Sequence, residues 1–410
     1  MGNFINKYGF KALLALAFAA YLAASLLTIH KYGNVYQWDF KKDYYAARVQ
    51  AEGLDFYDAP YLRHMAGSPV EQFYIYTPPS IWFYRLFTLF SFKNAYTLVL
   101  ILKLLTLLGL VLLWQKEFRL GPLDPGFFIF LFFAFHYALT ADFLSGNFAL
   151  FEQAGLWAAF AFFLRKRYIL FSLLIVLVSL FKILPLFFLV LLLFSKARRR
   201  FLLAASAGAS FLLVQGLSYL LNPGLYRSFL HTLTGPGSNE WGNRNLSLVS
   251  FLKTVLDRMA GVIGRPLPAA LAQILFAAAA LAIVLISLRA YLRRRAAWGA
   301  DADRMLVFLA CLVFCLISPR TKDYSYLIVL LPGYVALRTR ARDKGIVFLF
   351  LLLILDTPDS ISALGLRPVA EYFWTYYPLF LTGLTWILYV GKPRGIPDAF
   401  PDSSPAPDRR

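Results

Sequence analysis

The sequence predicts an all-α polytopic membrane protein, and three observations support this fold class. Of its 410 residues, 60% are hydrophobic and only 15% are charged, and the mean hydropathy is +0.61, far above that of a soluble domain. The hydrophobic residues are gathered into long apolar runs. The basic residues stand in short clusters between these runs, as they do in the cytoplasmic loops of membrane proteins.

About 11–12 membrane-spanning helices are predicted from the apolar runs. The runs lie near residues 9–29, 95–114, 126–141, 147–164, 168–195, 201–221, 267–290, 305–317, 325–337, 345–356 and 371–390. The first has no cleavage site after it, which predicts a signal anchor. Placing every basic cluster inside puts both termini in the cytoplasm.

The run 168–195 is the exception, because basic clusters flank it on both sides. A segment with both ends inside must enter the membrane and return. Each half has about 13 residues, or roughly 20 Å of helix, which is too short for about 30 Å of hydrocarbon. We therefore predict a re-entrant hairpin, or two short broken helices, with the turn at residues 182–185.

This topology predicts a single transmembrane catalytic domain, residues 1–392, with two large loops outside the cell. The first is 30–80 and the second is 222–265. The shorter segments 140–147, 318–326 and 357–370 also face outwards, and residues 80–92 are expected to lie at the interface. The tail 393–410 is rich in Pro and Ser, which predicts a disordered cytoplasmic segment.

Composition and charge also narrow the possible partners. The formal net charge of +19 would by itself fit nucleic-acid binding, but its clusters border apolar runs and therefore match anionic lipid headgroups. We expect membrane lipids, and no nucleic acid, as partners. Cys311 and Cys315 lie four apart in an apolar run, which predicts small buried residues on one helix face rather than a disulfide or a metal site.

An acid- and aromatic-rich segment follows the first apolar run directly. Two carboxylates in it, Asp39 and Asp43, are candidates for a catalytic base, because a positioned carboxylate can accept a proton from a reacting hydroxyl. We take Asp39 as the base and Asp43 as the alternative. A structural role for Asp39, in capping a turn or pairing with Lys41 or Lys42, stays open.

Ionisable residues inside apolar runs are costly and indicate a functional site. Lys182 lies at the predicted turn of the hairpin, where its ammonium group is placed to bind a lipid-linked phosphate. The alternative is a snorkelling or structurally paired lysine. For Glu152 and Gln153, inside the run 147–164, we predict hydrogen bonds to a neighbouring helix.

The segment Ser318 to Tyr326 carries Arg320 and Lys322 on the outer side of the membrane, where positive residues are disfavoured. A guanidinium group binds phosphate through two hydrogen bonds and lysine adds a point charge. We therefore predict a phosphate site here, with an interfacial snorkelling cluster as the alternative.

The segment 235–245 is rich in glycine and asparagine and contains Trp241 and Arg244. Amide side chains bind sugar hydroxyls and an indole stacks on a sugar ring, so this segment fits a sugar. The alternative is a flexible loop that caps a helix beginning near Asn245 or Ser247.

Taken together, these motifs resemble glycosyltransferase family 87. The resemblance extends over roughly residues 35–335, and each motif is short, but their order and spacing are specific. It rests on Asp39-Phe40, Tyr44, Ala46-Ala47, Gly53, Tyr57-Asp58, Phe73-Tyr74, Pro78-Pro79, Gly146-Asn147, Lys182 to Pro185, Asn245 to Ser247, and Ser318-Pro319 to Tyr324. Two departures concern Gly146, where a glutamine is common, and Arg320 with Lys322, where some relatives have histidine.

The resemblance implies a GT-C-like fold and a polyprenyl-phosphate-sugar-dependent enzyme with its active site on the extracytoplasmic face of the plasma or inner membrane. The donor would carry a mannose- or arabinofuranose-like sugar, and the acceptor would be a lipid or a glycan of the cell envelope. Asp39 would be the general base of an inverting reaction that needs no metal and no cofactor.

Two groups of residues are expected to bind the substrates. The donor phosphate is assigned to Lys182, Arg320, Lys322 and Arg244. The sugar and the acceptor are assigned to Tyr44, Tyr76, Asn147, Trp241, Asn243, Asn245 and Tyr324. The alternative function is a flippase or transporter of lipid-linked sugars, which also uses broken helices and buried charges, although the sequence has no internal repeat.

Overall fold

The protein is described here from a computed structural model. The structure describes residues 23–32, 36–67, 73–120, 125–195, 197–234, 245–268, 270–339 and 367–391, together with residues 16, 20, 343–345 and 347. Throughout these ranges the regular structure is helical and no strand occurs. The predicted cytoplasmic tail and most of the first apolar run lie outside the described residues.

The chain forms two compact units. The first contains residues 1–110, 137–245 and 323–327, and the second contains 111–136, 246–322 and 328–410. The predicted organisation as a single catalytic domain stays a prediction.

The first unit contains helices in the segment that the sequence predicts as the first outer loop, 30–80: helix α1 is Trp38–Ala51 and α2 is Ala59–Ala66. Helix α3, Ile81–Arg85, lies in the segment 80–92 that is predicted to lie at the interface. The placement of both segments relative to the membrane stays a prediction. Helical spacing places Asp39, Lys42 and Asp43 on one face of α1, and all three are buried. This polar face explains why α1 does not look like an amphipathic helix with an apolar core side.

The remainder of the first unit is built from apolar helices. The elements are α4, Phe92–Phe118; α5, Pro125–Ser145; α6, Ala149–Leu164; α7, Tyr168–Ser179; a 3-10 helix, Leu184–Phe194; α8, Arg200–Leu221; and α9, Pro223–Thr234. The last part of α4 and the first part of α5 belong to the second unit. Helix α7 and the 3-10 helix are the two short broken helices predicted for 168–195, so this prediction is confirmed. The sequence also explains the break, because Pro185 lacks the N–H group that a continuing α-helix needs.

The second unit contains the later helices. They are α10, Leu248–Ile263; α11, Ala270–Trp298; α12, Ala302–Ile317; α13, Leu330–Thr339; and α14, Arg367–Val390. A 3-10 helix, Asp323–Val329, precedes α13, and its residues 323–327 belong to the first unit. Helices α9 and α10 lie in the predicted loop 222–265, which is therefore largely helical. Ser247 accepts a hydrogen bond from the backbone of Ser250, so the predicted helix start is confirmed. Cys311 and Cys315 are both buried in α12, as predicted.

Three stretches of the described chain are long and apolar enough to cross a membrane: Phe92–Phe118, Arg200–Leu221 and Ala270–Ile317. The two parts of α5, which is broken near residue 136, would add a fourth if they form one span. Many large apolar side chains on these helices point outwards, including Leu105, Leu213 and Leu285. Outward leucines are unfavourable in water and favourable in hydrocarbon, which confirms the class of all-α polytopic membrane protein. The count of 11–12 spans stays a prediction.

Candidate active site

The first unit brings Asp39 against the turn between α5 and α6. The Asn147 side chain donates from Nδ2 to Asp39 Oδ2 over 2.7 Å, although 108 residues separate the two in sequence. Asn147 Oδ1 accepts a hydrogen bond from the Ala149 backbone at 3.0 Å. Because this acceptor role fixes which end of the amide faces α6, the donor end must face Asp39.

The close approach between α1 and this turn depends on Gly146. Its φ is +69°, and a Cβ there would lie 2.5 Å from Gln37 Oε1 and 2.7 Å from the Cβ of Phe40. Any other residue would strain the backbone and separate the two segments. Gly146 stands where a glutamine is common in the family, and this close approach is the physical reason for a glycine in this chain.

Gln37 fastens the start of α1 to the end of α5. Its backbone N–H donates to the Leu144 carbonyl at 2.7 Å, and its Nε2 donates to the Phe143 carbonyl at 2.6 Å. Gln37 has a left-handed conformation, with φ of 67°, which is uncommon for a residue other than glycine. The last carbonyl groups of a helix have no partner within it, so Gln37 satisfies two of them and sets the position of Asp39.

Lys42 joins the two carboxylates of α1. Its Nζ donates to Asp43 Oδ1 over 2.7 Å and lies 3.9 Å from Asp39 Oδ1. The ammonium group also lies 5.0 Å from the centre of the Tyr76 ring, a cation–π distance. Among the described residues, Asp39 Oδ1 makes no hydrogen bond, in contrast to Oδ2, which accepts from Asn147.

Burial raises the pKa of Asp43 from 3.8 to about 6, against the opposing effect of Lys42. The charge of Asp39 raises it further, and the nearby Tyr84 hydroxyl lowers it slightly. Asp43 Oδ2 has no hydrogen-bond partner within the described part of the chain. A carboxylate with a pKa near neutrality is a favourable proton acceptor, so Asp43 keeps its place as the alternative base.

A group of tyrosines encloses the carboxylates on one side. Tyr76 and Tyr84 stack with ring centres 6.1 Å apart, and Tyr74 lies edge-on to both. Burial raises the pKa of each, and the charge of Asp43 raises it further. These phenols therefore stay protonated and neutral at any physiological pH.

A second lysine–carboxylate pair lies beneath the Asn147 turn. Lys103 of α4 donates to Asp142 Oδ2 at 2.7 Å and to the Asp142 backbone carbonyl at 2.6 Å. Both side chains are completely buried. This pair was not predicted from the sequence, although Lys103 is an ionisable residue inside the predicted span 95–114, the same signal that identifies Lys182.

Lys182 forms a third pair, with Glu152 of α6. The distance from Nζ to Oε2 is 2.6 Å, and 26% of the Lys182 side chain is exposed. Its ammonium group also lies 5.5 Å from the centre of the Tyr324 ring. The predicted bond of Glu152 to a neighbouring element is confirmed. The buried Oε1 of Gln153 has no hydrogen-bond partner within the described residues, so the bond predicted for Gln153 is not observed at this atom.

In the second unit, the segments around Ser247 and Ser318 meet. The Leu246 backbone N–H donates to the Thr321 carbonyl at 2.8 Å, and Ser247 Oγ donates to the Pro319 carbonyl at 2.9 Å. Arg320 and Lys322 are half-buried on this segment. The predicted helix-capping sequence and the predicted cationic loop are thus held together by backbone contacts.

A match to a known family accompanies this geometry. The model of glycosyltransferase family 87 matches residues 74–319. The chain belongs to glycosyltransferase family 87. No curated protein and no solved structure matches it. The resemblance seen in the sequence is therefore confirmed, and this family-87 protein is a multi-pass membrane glycosyltransferase.

The matched region contains only part of the candidate site. Asn147, Lys103, Asp142 and Lys182 lie inside residues 74–319, whereas Asp39 and Asp43 precede them. The structure connects the two parts, because Asp39 is held by Asn147. The role of Asp39 in catalysis stays a prediction supported by this contact.

The other predicted substrate residues fall into three groups. Tyr44 is buried, and its hydroxyl donates to the Phe90 carbonyl at 2.8 Å, which favours a structural role. Tyr324 approaches Tyr76 closely enough to raise its pKa, and Asn245 is buried. The remaining three, Trp241, Asn243 and Arg244, lie outside the described residues.

Proposed function

We propose that this glycosyltransferase transfers a mannose- or arabinofuranose-like sugar from a polyprenyl-phosphate donor to a lipid or glycan acceptor, on the extracytoplasmic face of the plasma or inner membrane. The observation that carries the proposal is the state of Asp39. This buried carboxylate has one oxygen fixed by Asn147 and the other without a hydrogen bond among the described residues. A base in one defined orientation is what proton transfer from an acceptor requires.

The reaction is a single displacement. The acceptor hydroxyl oxygen forms a bond to the anomeric carbon, and its proton passes to Asp39 Oδ1. The bond between that carbon and the phosphate oxygen breaks, so polyprenyl phosphate leaves as a monoester. Attack from the face opposite the leaving group inverts the anomeric configuration.

The leaving phosphate gains negative charge as the bond breaks, and a positive group placed beside it lowers the barrier. Lys182 is the first candidate, because its ammonium group combines partial exposure with a fixed position against Glu152. Arg320, Lys322 and Arg244 are further candidates for the donor phosphate. Tyr76, Asn147 and Tyr324 are candidates for sugar or acceptor binding, together with Trp241, Asn243 and Asn245.

Replacing each carboxylate of α1 tests the assignment of the base. We expect Asp39→Asn to lower kcat by roughly 10²–10⁴-fold, the usual contribution of a general base. The measurement is transfer from synthetic short-chain polyprenyl-phosphate sugars by purified protein in lipid nanodiscs, with donor binding determined separately. Donor affinity should stay close to that of the wild type.

The matched control is Asp43→Asn. Near wild-type turnover in Asp39→Asn, with loss in Asp43→Asn, would assign the base to Asp43 instead. Movement of the lipid-linked sugar across the membrane without any transfer product would contradict the transferase and favour a transporter.

A further inference from the structure

The buried pair of Lys103 and Asp142 has no part in the proposed reaction, yet its contacts lead directly to Asp39. We propose that this pair is a positioning element of the transferase: it fixes the turn at Gly146 and Asn147, and through Asn147 it sets the orientation of the catalytic carboxylate. The inference rests on the proposed function, because the role of the pair is defined by the catalytic role of Asp39.

Asp142 holds both ends of the turn. Its backbone carbonyl accepts from the Gly146 N–H at 3.1 Å, and its Oδ1 accepts from the Leu150 N–H at 3.3 Å. The first N–H groups of a helix lack partners within that helix, so Asp142 caps the beginning of α6 from eight residues away. A single residue thereby closes the segment that carries Asn147, through its backbone carbonyl at one end and its side chain at the other.

Lys103 fixes Asp142 in a single position. Its ammonium group binds the carbonyl at 2.6 Å and the carboxylate at 2.7 Å at once. Two hydrogen bonds to different parts of the same residue fix both its backbone and its side chain. With both partners fully buried, the pair cannot exchange its bonds for water, and breaking it is costly.

Ser145, within the turn, connects Asp142 to Asn147. Ser145 Oγ donates weakly to the Asp142 carbonyl at 3.4 Å and accepts from the Asn147 N–H at 3.2 Å. The Asn147 side chain then donates to Asp39. The sequence of contacts from Lys103 to Asp39 is therefore continuous, and every step is buried.

A double-mutant cycle tests the proposal. Asp142→Asn keeps the size of the side chain and removes its charge, and Asn147→Ala removes the contact to Asp39. We expect Asp142→Asn to lower kcat about 10-fold with donor KM within about twofold of the wild-type value. If Asp142 acts through Asn147, the double variant should be at most about twofold slower than Asn147→Ala alone, since coupled residues are not additive.

A role confined to stability would give a different result. The losses would then add, and they would follow the fraction of folded protein, which is measured by size exclusion in detergent. Additive losses, or wild-type kcat in Asp142→Asn, would overturn the proposal. Ser287→Ala is the control, because it removes a part-buried hydrogen bond from Trp386 in the second unit and should leave kcat unchanged.

Ser145→Ala decides the question if Asp142→Asn does not fold. It removes the hydroxyl that joins Asp142 to Asn147 and leaves every charge in place. We expect a fall in kcat of about threefold that disappears in the Asn147→Ala background, and wild-type kcat would contradict the proposal. Loss of transfer in Asp39→Asn with no effect of these variants overturns only the positioning role. Full turnover in Asp39→Asn removes Asp39 as the base and the positioning role with it, whereas movement of the lipid-linked sugar by the wild type without any transfer product overturns the proposed function itself.

Discussion

Two lysine–carboxylate pairs in apolar segments of the same unit differ in one respect, their access to solvent. Lys103 and Asp142 are 0% exposed, whereas the side chains of Lys182 and Glu152 are 26% and 8% exposed. The hydrogen bond is about equally short in both, at 2.7 and 2.6 Å. The difference therefore does not lie in the strength of pairing within the protein.

The comparison shows that an ionisable residue in an apolar run has two distinct uses. Lys103 and Asp142 spend their hydrogen bonds on each other and on the backbone, so the contribution of this enclosed pair is to fix the backbone around it. A pair with one exposed member can release that member to a substrate, because water or the substrate replaces the lost bond. The first pair fits a positioning role and the second fits the binding of a phosphate.

The largest expected effect is on the stability of the protein when the enclosed pair is broken. Lys103→Met should reduce the free energy of unfolding by about 3–5 kcal/mol, because it leaves the buried Asp142 carboxylate without its partner. Lys182→Met should cost less than Lys103→Met, because the Lys182 side chain is 26% exposed and water can reach its position beside Glu152. Thermal unfolding in detergent, followed by size exclusion, measures both. Equal losses would remove the distinction between the pairs.

Replacing Lys182 should affect turnover much more than stability. We expect Lys182→Gln to lower kcat by roughly 10²-fold, the usual effect of removing one group that stabilises developing charge. Its melting temperature should stay near that of the wild type. Transfer from the synthetic donor at saturating concentration gives kcat, and an unchanged value would exclude Lys182 from the phosphate site.

The Lys42–Asp43 pair on α1 extends the comparison to pH. With the pKa of Asp43 raised to about 6, lowering the pH through 6 protonates Asp43 and removes the negative charge that holds Lys42. The ammonium group is then placed to occupy Asp39 Oδ1, 3.9 Å away. We expect transfer to fall about 10-fold between pH 7 and pH 5, and the inflection near pH 6 to be absent in Asp43→Asn.

Stability should move in the opposite direction over the same pH window. The pKa of Asp43 is higher in the folded state than its ordinary value of 3.8, so the folded protein binds more protons between about pH 4 and pH 6. Lowering the pH through this window therefore stabilises the fold, by up to roughly 3 kcal/mol from this group. Activity and stability that fall together would contradict this account of Asp43.

The smallest expected effect concerns the partner of the exposed lysine. Glu152→Gln removes a negative charge beside the proposed phosphate position. We expect the donor KM to fall by about two- to fivefold, because the carboxylate no longer competes with the phosphate for Lys182. A matched Asp142→Asn variant should leave donor KM unchanged. A rise in KM for Glu152→Gln would show that Glu152 orients Lys182 for binding.

Much of the candidate site was predictable from the residues themselves. Asp39 and Asp43 follow from carboxylates in an aromatic segment beside the membrane, and Lys182 follows from its place at a break in an apolar run. Lys103, like Lys182, is an ionisable residue inside an apolar run, so the same reasoning applies to it. The secondary structure of α1 was harder to predict, because its buried face is polar and gives no apolar periodicity.

The sequence by itself determined the class of membrane protein, the broken hairpin at 168–195 and the family. These properties depend on composition, on local breaks such as Pro185 and on the order of short motifs, all of which are local. The tertiary structure alone decided which charged groups meet. The hydrogen bond between Asn147 and Asp39 joins residues 108 positions apart, and that between Lys103 and Asp142 spans 39. Distance along the chain gives no measure of distance in space, so only packing tells an enclosed lysine from one that is open to a substrate.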